Sequence, residues 1–362
     1  MRATFASLTL CTALALPAAS AANLNFYAWA DYLAPDTVPA FQRSSGIHLR
    51  YDSFDSNEVL QSKLLTGRSG YDLVVPSNTF LARQIPAGVY QPLDKQRLPH
   101  WSGLDPAILQ LMQPADPGNR YAVPLFWGIN TLGINEARVA RALGGPLPPR
   151  QWALLFQPET VAKLKSCGVS LLDSPNEVFA AALHYLGKTP ASQQAADYQA
   201  AAALLKRIRP YITRFSSSGY MDEMARGELC LALGYGGDLN IARRRAEAAG
   251  NGVRLRALVP AEGVGVWVDS FAVPRDAANV DAAYRFIDYN LQPRVAAANG
   301  DFVTYAPAVL AARPLMAAQH RNNPSIFPGA AELKNSYVLT PLAPALQRLV
   351  TRLWQDFKTR NY

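Results

Sequence analysis

Histidine, cysteine and the common catalytic signatures are sparse in this 362-residue chain. Its four histidines, His48, His100, His184 and His320, stand far apart and lack the spacing of metal ligands. No H-E-x-x-H, G-x-S-x-G or C-x-x-C occurs, and no G-x-G-x-x-G opens a helix after a strand. Gly187-Lys188-Thr189 copies the end of a phosphate loop, but Ala182 occupies the place of the first glycine and Pro190 follows. A metal site and histidine-based hydrolysis therefore have little to stand on, and no cofactor or metal is expected. Tandem repeats are missing too, which excludes a solenoid. Beyond the N-terminus no apolar run approaches the ~20 residues of a membrane span.

What is present describes a globular chain, with 49% hydrophobic and 17% charged residues and a length that favours two lobes of ordinary domain size. Arg2, an apolar run from Leu8 to Ala19, and the small residues Ala19-Ser20-Ala21 read as a signal peptide cleaved after Ala21. Leu10 before Cys11 is not the small residue of a lipoprotein signal, so an exported, soluble product is expected. The net charge of +8 would ordinarily point to nucleic acid or an anionic surface. Export argues against nucleic acid, and only Arg243-Arg244-Arg245 clusters, within an alanine-rich helical stretch whose solvated face accounts for it. Cys167 and Cys230 remain after processing. In an oxidising compartment they invite a disulfide, with two buried free thiols as the alternative.

The order of apolar runs predicts an α/β fold. Strands are expected at Leu24 to Trp29, Tyr71 to Val75, Gly168 to Leu172, Leu229 to Leu233 and Val264 to Val273. Helical spacing marks Glu58 to Leu65, Val178 to Leu186, Ala195 to Arg207 and Ala282 to Asn290. Leu125 to Thr131 and Ala257 to Pro260 look like extended connectors, where the chain leaves one lobe and returns.

Aromatic and acidic residues gather just past the strand ends, where open α/β sheets bind ligands. Trp29, Asp31 and Tyr32 follow the first strand, Ser77 follows Val74-Val75-Pro76, Glu177 follows Leu171-Leu172, and Tyr235 and Asp238 follow Leu233. Alternation along Val264 to Phe271 puts Trp267, Asp269 and Phe271 on one face. Ring faces with a few carboxylates in a water-poor cleft suit an organic cation, which gains about 0.5–2 kcal/mol from each ring as well as ion pairing. Each residue also has an ordinary reading. Ser174-Pro175-Asn176-Glu177 is a capping box in which Glu177 reaches the Ser174 amide, and Asp238 after Gly236-Gly237 could cap the next helix. Trp29, Tyr235 and Tyr305 could be core aromatics. Asp269, inside a strand of valines and aromatics, needs a partner, either a ligand cation or a Lys or Arg of the protein.

Together with Tyr27 to Pro35, Tyr51 to Glu58, Tyr71 to Ser77, Gln91 to Lys95 and Gly234 to Asp238, these residues resemble the bacterial periplasmic polyamine-binding proteins, the putrescine and spermidine receptors of ABC transporters. The resemblance covers essentially the whole chain after residue 21. It implies a type II periplasmic binding fold: two α/β lobes, residues 22–125 plus 257–308 and residues 126–256 plus 309–362, joined by crossover strands around a ligand cleft. It further implies ligand contacts at Trp29, Tyr32, Ser77, Glu177, Ser218, Tyr235, Asp238, Trp267, Asp269 and Tyr305. Trp29, Tyr235, Trp267 and Tyr305 would sandwich the methylene chain, Asp269 would pair with one terminal amine, and Glu177 and Asp238 with the other. Tyr32, Ser77 and Ser218 would supply neutral acceptors, and Asp31 would serve specificity or the closed form. A Cys167–Cys230 disulfide, an inner-membrane ABC permease as partner, a monomeric state, a periplasmic location and the absence of catalysis are implied as well. Two departures are Ala30, where relatives carry a hydroxyl, and Tyr235, where they carry tryptophan. The rival readings are a receptor or sensor for another small organic cation and an exported hydrolase using Glu177 and Asp238 as acid and base.

Overall fold

The computed structural model describes residues 22–359. The expected signal segment, with its cleavage after Ala21, lies outside the described residues. Eleven strands form one sheet: β1 (Asn23–Trp29), β2 (His48–Phe54), β3 (Leu73–Val74), β4 (Ala122–Asn135), β5 (Val169–Leu171), β6 (Arg214–Phe215), β7 (Leu231–Tyr235), β8 (Leu255–Ala257), β9 (Gly265–Ala272), β10 (Ala306–Pro307) and β11 (Tyr337–Val338). The main path runs β2-β1-β3-β9-β4-β7-β5-β6. The flanking triplets β2-β1-β3 and β7-β5-β6 are parallel inside, as α/β crossovers require. Antiparallel pairing occurs where β9 and β4 meet them and each other.

The segment Leu125 to Thr131, expected as a connector, is the middle of β4. All 14 residues of that strand are buried. Its first part pairs with β9, from Ala122 opposite Ala272 to Asn130 opposite Gly265, with a register shift between Pro124 and Phe126. Its last part pairs with β7 and β8. One strand thus belongs to both halves of the sheet, and a run buried on both faces reads as continuous hydrophobicity rather than alternation. The helices expected around Glu58, Val178, Ala195 and Ala282 occur at Asn57–Leu65, Pro175–Tyr185, Ala195–Ile208 and Val280–Asn290.

Cys167, which precedes β5, and Cys230, which precedes β7, form a disulfide with their Cα atoms 5.4 Å apart. It ties neighbouring parallel strands across a sequence separation of 63. Closing a loop of that size restricts the unfolded chain by roughly 2–4 kcal/mol. Replacing both cysteines with alanine should therefore lower the urea-unfolding free energy by about that amount, and adding reductant to the parent protein should have a similar effect. Equal midpoints with and without the bridge would contradict this.

Candidate functional site

The strand termini around β4 and β9 bring most of the expected side chains together. Asp269 lies within β9 opposite Phe126 and is 4% exposed. Beyond β3 the chain keeps pairing with β9 through a Ser77–Asp269 bridge, which sets Ser77 beside the carboxylate. Ser77 Oγ donates to Asp269 Oδ1 and Tyr32 Oη donates to Asp269 Oδ2, each at 2.5 Å. Asn57 fixes the direction of the first bond, since its Nδ2 donates to Ser77 Oγ at 2.9 Å while its Oδ1 accepts from the Ser77 amide at 3.0 Å. With one lone pair taken, the Ser77 proton goes to Asp269. Ser77 starts the helix Asn78–Gln84 without capping it, because its hydroxyl is used at the carboxylate.

A second carboxylate repeats the arrangement. Asp238 sits in the first turn of the helix Gly236–Ala249, whose N-cap is Tyr235. The expected alternative, Asp238 as that cap, is thereby corrected. Its carboxylate instead accepts from Tyr305 Oη at 2.5 Å and Tyr220 Oη at 3.0 Å. The Tyr235 amide donates to Tyr220 Oη at 3.0 Å and so aims the phenol proton at Asp238. Glu177 lies in the first turn of the helix Pro175–Tyr185, and Ser174 donates its hydroxyl to the Glu177 carboxylate. The capping box is not formed, because Ser174 makes no side-chain cap bond and its hydroxyl serves the acid.

Among the described residues, none of the ion pairs includes Asp269, Asp238 or Glu177. The Lys or Arg partner considered for Asp269 is therefore replaced by two neutral hydroxyls. Burial pushes the Asp269 carboxyl up to about 6, while the Ser77 and Tyr32 bonds pull it down. Burial also raises Asp238 against its two tyrosine bonds. Glu177 is raised by burial, with the Ser174 bond opposing and the Glu58 charge adding to the rise. Tyr32, Tyr220 and Tyr305 are pushed well above the ordinary phenol value, first by burial and then by the adjacent carboxylates. They remain donors throughout the working pH range.

A chain of aromatic rings spans the distance between the acids. Tyr235 meets Trp267 edge-on at 6.2 Å, Trp267 meets Tyr305 at 4.8 Å, and Tyr305 leads to Tyr32 at 6.4 Å. Tyr32 then leads to Trp29 at 6.4 Å. Ser218 stands apart: it is exposed ahead of the helix Tyr220–Arg226, and its hydroxyl makes no hydrogen bond to the cluster among the described residues. Ala30 and Asp31 are exposed at the end of β1, where Asp31 has φ of 52°. Sequence reasoning missed Tyr220 and Asn57, which orient the acids, and Tyr337, whose phenol is raised by burial and by the Glu177 charge. Only Asn57 lay within a quoted motif. No group of three potential metal ligands occurs among the described residues. An apolar cavity of about 420 Å³, lined by Trp127, Val266 and Phe327, meets the cluster only at Tyr337.

The model of the family described as bacterial extracellular solute-binding protein matches residues 36–327. The chain belongs to that family. It is 47% identical over 343 residues to the putrescine-binding periplasmic protein PotF of Escherichia coli K12, covering 94% of this chain and 93% of the relative. It is 44% identical over 358 residues to the putrescine-binding periplasmic protein SpuD of Pseudomonas aeruginosa, covering 98% of each. Among solved structures, the spermidine/putrescine ABC transporter substrate-binding protein PotD of Streptococcus pneumoniae superposes with a TM-score of 0.79 at 24% identity, covering 93% of this chain and 98% of that one. The fold is accordingly the two-lobed type II arrangement of solute-binding proteins.

Because the folded state raises the Asp269 pKa above the unfolded value near 3.9, it binds the proton more tightly than the unfolded chain does. This group's contribution to the stability of the unliganded protein should grow as pH falls through about 6 and level off below the unfolded value. Tyr32→Phe removes a donor that favours the ionised form, so the Asp269 midpoint should move above about 6 in a carboxyl-carbon NMR titration. A downward move would refute the role assigned to the hydroxyl.

Proposed function

We propose that this protein is a periplasmic receptor that captures a linear polyamine, putrescine or spermidine, and delivers it to an inner-membrane ABC permease for uptake. The observation that carries the reading is the pair of acids, Asp269 and Asp238. Each is held by two hydroxyl donors, neither forms an ion pair with a protein cation among the described residues, and a run of aromatic rings joins them. An alkyl ammonium has donors only, so a carboxylate with free lone pairs completes it, and the rings cover the methylenes and face the charges. The putrescine-binding relatives support the same ligand class. Asp269 takes one terminal amine and Asp238 with Glu177 the other, while Trp29, Tyr235, Trp267 and Tyr305 enclose the chain. Tyr32 and Ser77 give their protons to Asp269 and keep oxygen lone pairs for the ammonium, and Ser218 adds a neutral acceptor from the exposed turn.

The same reading divides the molecule into lobes of residues 22–125 plus 257–308 and residues 126–256 plus 309–362. It places leader cleavage after Ala21 and makes the receptor a monomer without catalytic activity. A ligand touching both lobes stabilises closure by its differential affinity for the closed state.

Calorimetric titration of protein unfolded and refolded to strip ligand should show one-to-one binding of putrescine or spermidine at micromolar affinity or tighter. Silence from every polyamine in a folded sample would overturn the reading. Asp269→Asn should weaken binding at least tenfold without lowering the ligand-free melting temperature, since it removes a charge whose burial is unfavourable. Binding should also weaken as pH is lowered from 7.5 to 5, because protons then compete with the ammonium for a carboxyl whose ligand-free pKa is about 6. Pairing with the cation lowers that pKa, so binding releases protons at pH 6. An affinity independent of pH would place the ammonium elsewhere.

A further inference from the structure

Three glycines of the site have no positive φ, so backbone conformation does not call for glycine there. What calls for it is space. A Cβ on Gly128 would stand 2.5 Å from Cζ2 and 2.9 Å from Cε2 of Trp267. One on Gly237 would stand 2.3 Å from Cε1 and 2.5 Å from Cδ1 of Tyr305, and one on Gly234 would stand 2.6 Å from Cε2 of Tyr220. Carbon atoms in contact sit about 3.5–4.0 Å apart, so each added methyl must displace the ring above it. Gly128 faces Trp267 across the β4–β9 pair, on the face that carries Asp269. Gly237 lies directly before Asp238, and Thr304 Oγ1 donates to the Gly237 carbonyl at 2.8 Å, holding the residue before Tyr305 on the same backbone.

We infer that Gly128 and Gly237 are positioning residues for ligand recognition: bare backbone against which the Trp267 and Tyr305 rings pack, which sets the width of the slot between them and the cation. This rests on the reading that those two rings contact the polyamine. A methyl at Gly128 pushes the Trp267 ring off β4 into the space of the ligand chain. At Gly237 it shifts the Tyr305 ring and pulls its hydroxyl away from Asp238, so one substitution disturbs both a wall and an acid. Neither glycine touches ligand, and each acts through its ring.

The test is a pair of double-mutant cycles read by calorimetric titration with putrescine and spermidine, with the ligand-free melting temperature recorded for every variant. Gly128→Ala and Gly237→Ala should each weaken binding tenfold or more. In the backgrounds Trp267→Ala and Tyr305→Ala, where the ring is gone, the same glycine substitutions should change affinity less than twofold. A merely structural glycine would cost the same in both backgrounds, and that result would overturn the inference, as would single variants that bind like the parent. Should Gly128→Ala alone fail to fold, recovery of folding in the Trp267→Ala background supports the seat and continued failure there overturns it. A parent protein that binds no polyamine overturns the functional reading and the seats with it. A parent that binds, with Trp267→Ala and Tyr305→Ala weakened but the glycine variants unaffected, overturns the seats alone.

Discussion

Taking a carboxylate out of water is unfavourable by several kcal/mol unless something replaces its hydration, and the proposed recognition site is organised around that constraint at Asp269. Two hydroxyls supply part of the replacement, from Ser77 and Tyr32. Hydroxyl bonds satisfy lone pairs but leave the charge, so the site stays electrostatically incomplete. A lysine or arginine in place of either hydroxyl would have completed it and closed it to any cation. On the proposed function, neutral donors at both acids leave part of the interaction to the ligand, and this incompleteness would favour binding and closure.

Such a balance needs rigid placement, and the sheet provides it. β9 carries Trp267 and Asp269, while β4 lies against it and continues into the half of the sheet that ends in Tyr235 and Asp238. Asp269 and the start of the helix carrying Asp238 are therefore tied to strands that share β4, so their separation is set by the backbone rather than by long side chains. The donors are in turn fixed from behind. Asn57 aims Ser77, and the Tyr235 amide aims Tyr220. Local roles are given up around the acids, since Ser77 and Ser174 start helices without capping them. Local rules broken in this way mark where tertiary chemistry has prevailed over propensity.

The α/β plan, the strand carrying Asp269 and its face were legible from apolar runs and alternation, because a strand of valines and aromatics with one acid admits few other readings. The extended connector at Leu125 to Thr131 is the crossing part of a longer strand, whose full extent was hidden because a strand buried on both faces loses the period-2 signal. Glu177 and Asp238 looked like helix caps for a physical reason too: the sequence shows a serine or a glycine pair before an acid, but not which hydroxyls arrive from elsewhere. Tyr305 and Tyr220 reach Asp238 from sequence separations of 67 and 18, and no local pattern encodes that meeting. Tyr220 was missed for this cause, and Ser218 sits apart from the cluster. The glycines under the rings carry no sequence signal beyond being glycine.

The net charge of +8 opposes the approach of a polycationic ligand. Surface charges act through water and salt, with a screening length of about 8 Å at physiological ionic strength, so they modulate the approach of a polyamine far more than its final state. Inside the site the relevant charges are Asp269, Asp238 and Glu177, in surroundings where attraction at contact is many times that in water. The same acids repel any ligand bearing a carboxylate of its own. At the proposed site an amino acid would have to set its acid among three others, none of which forms an ion pair with a Lys or Arg among the described residues. On the proposed function, selection of amines lacking a carboxylate would follow from leaving out arginine and lysine as directly as from including aspartate and glutamate.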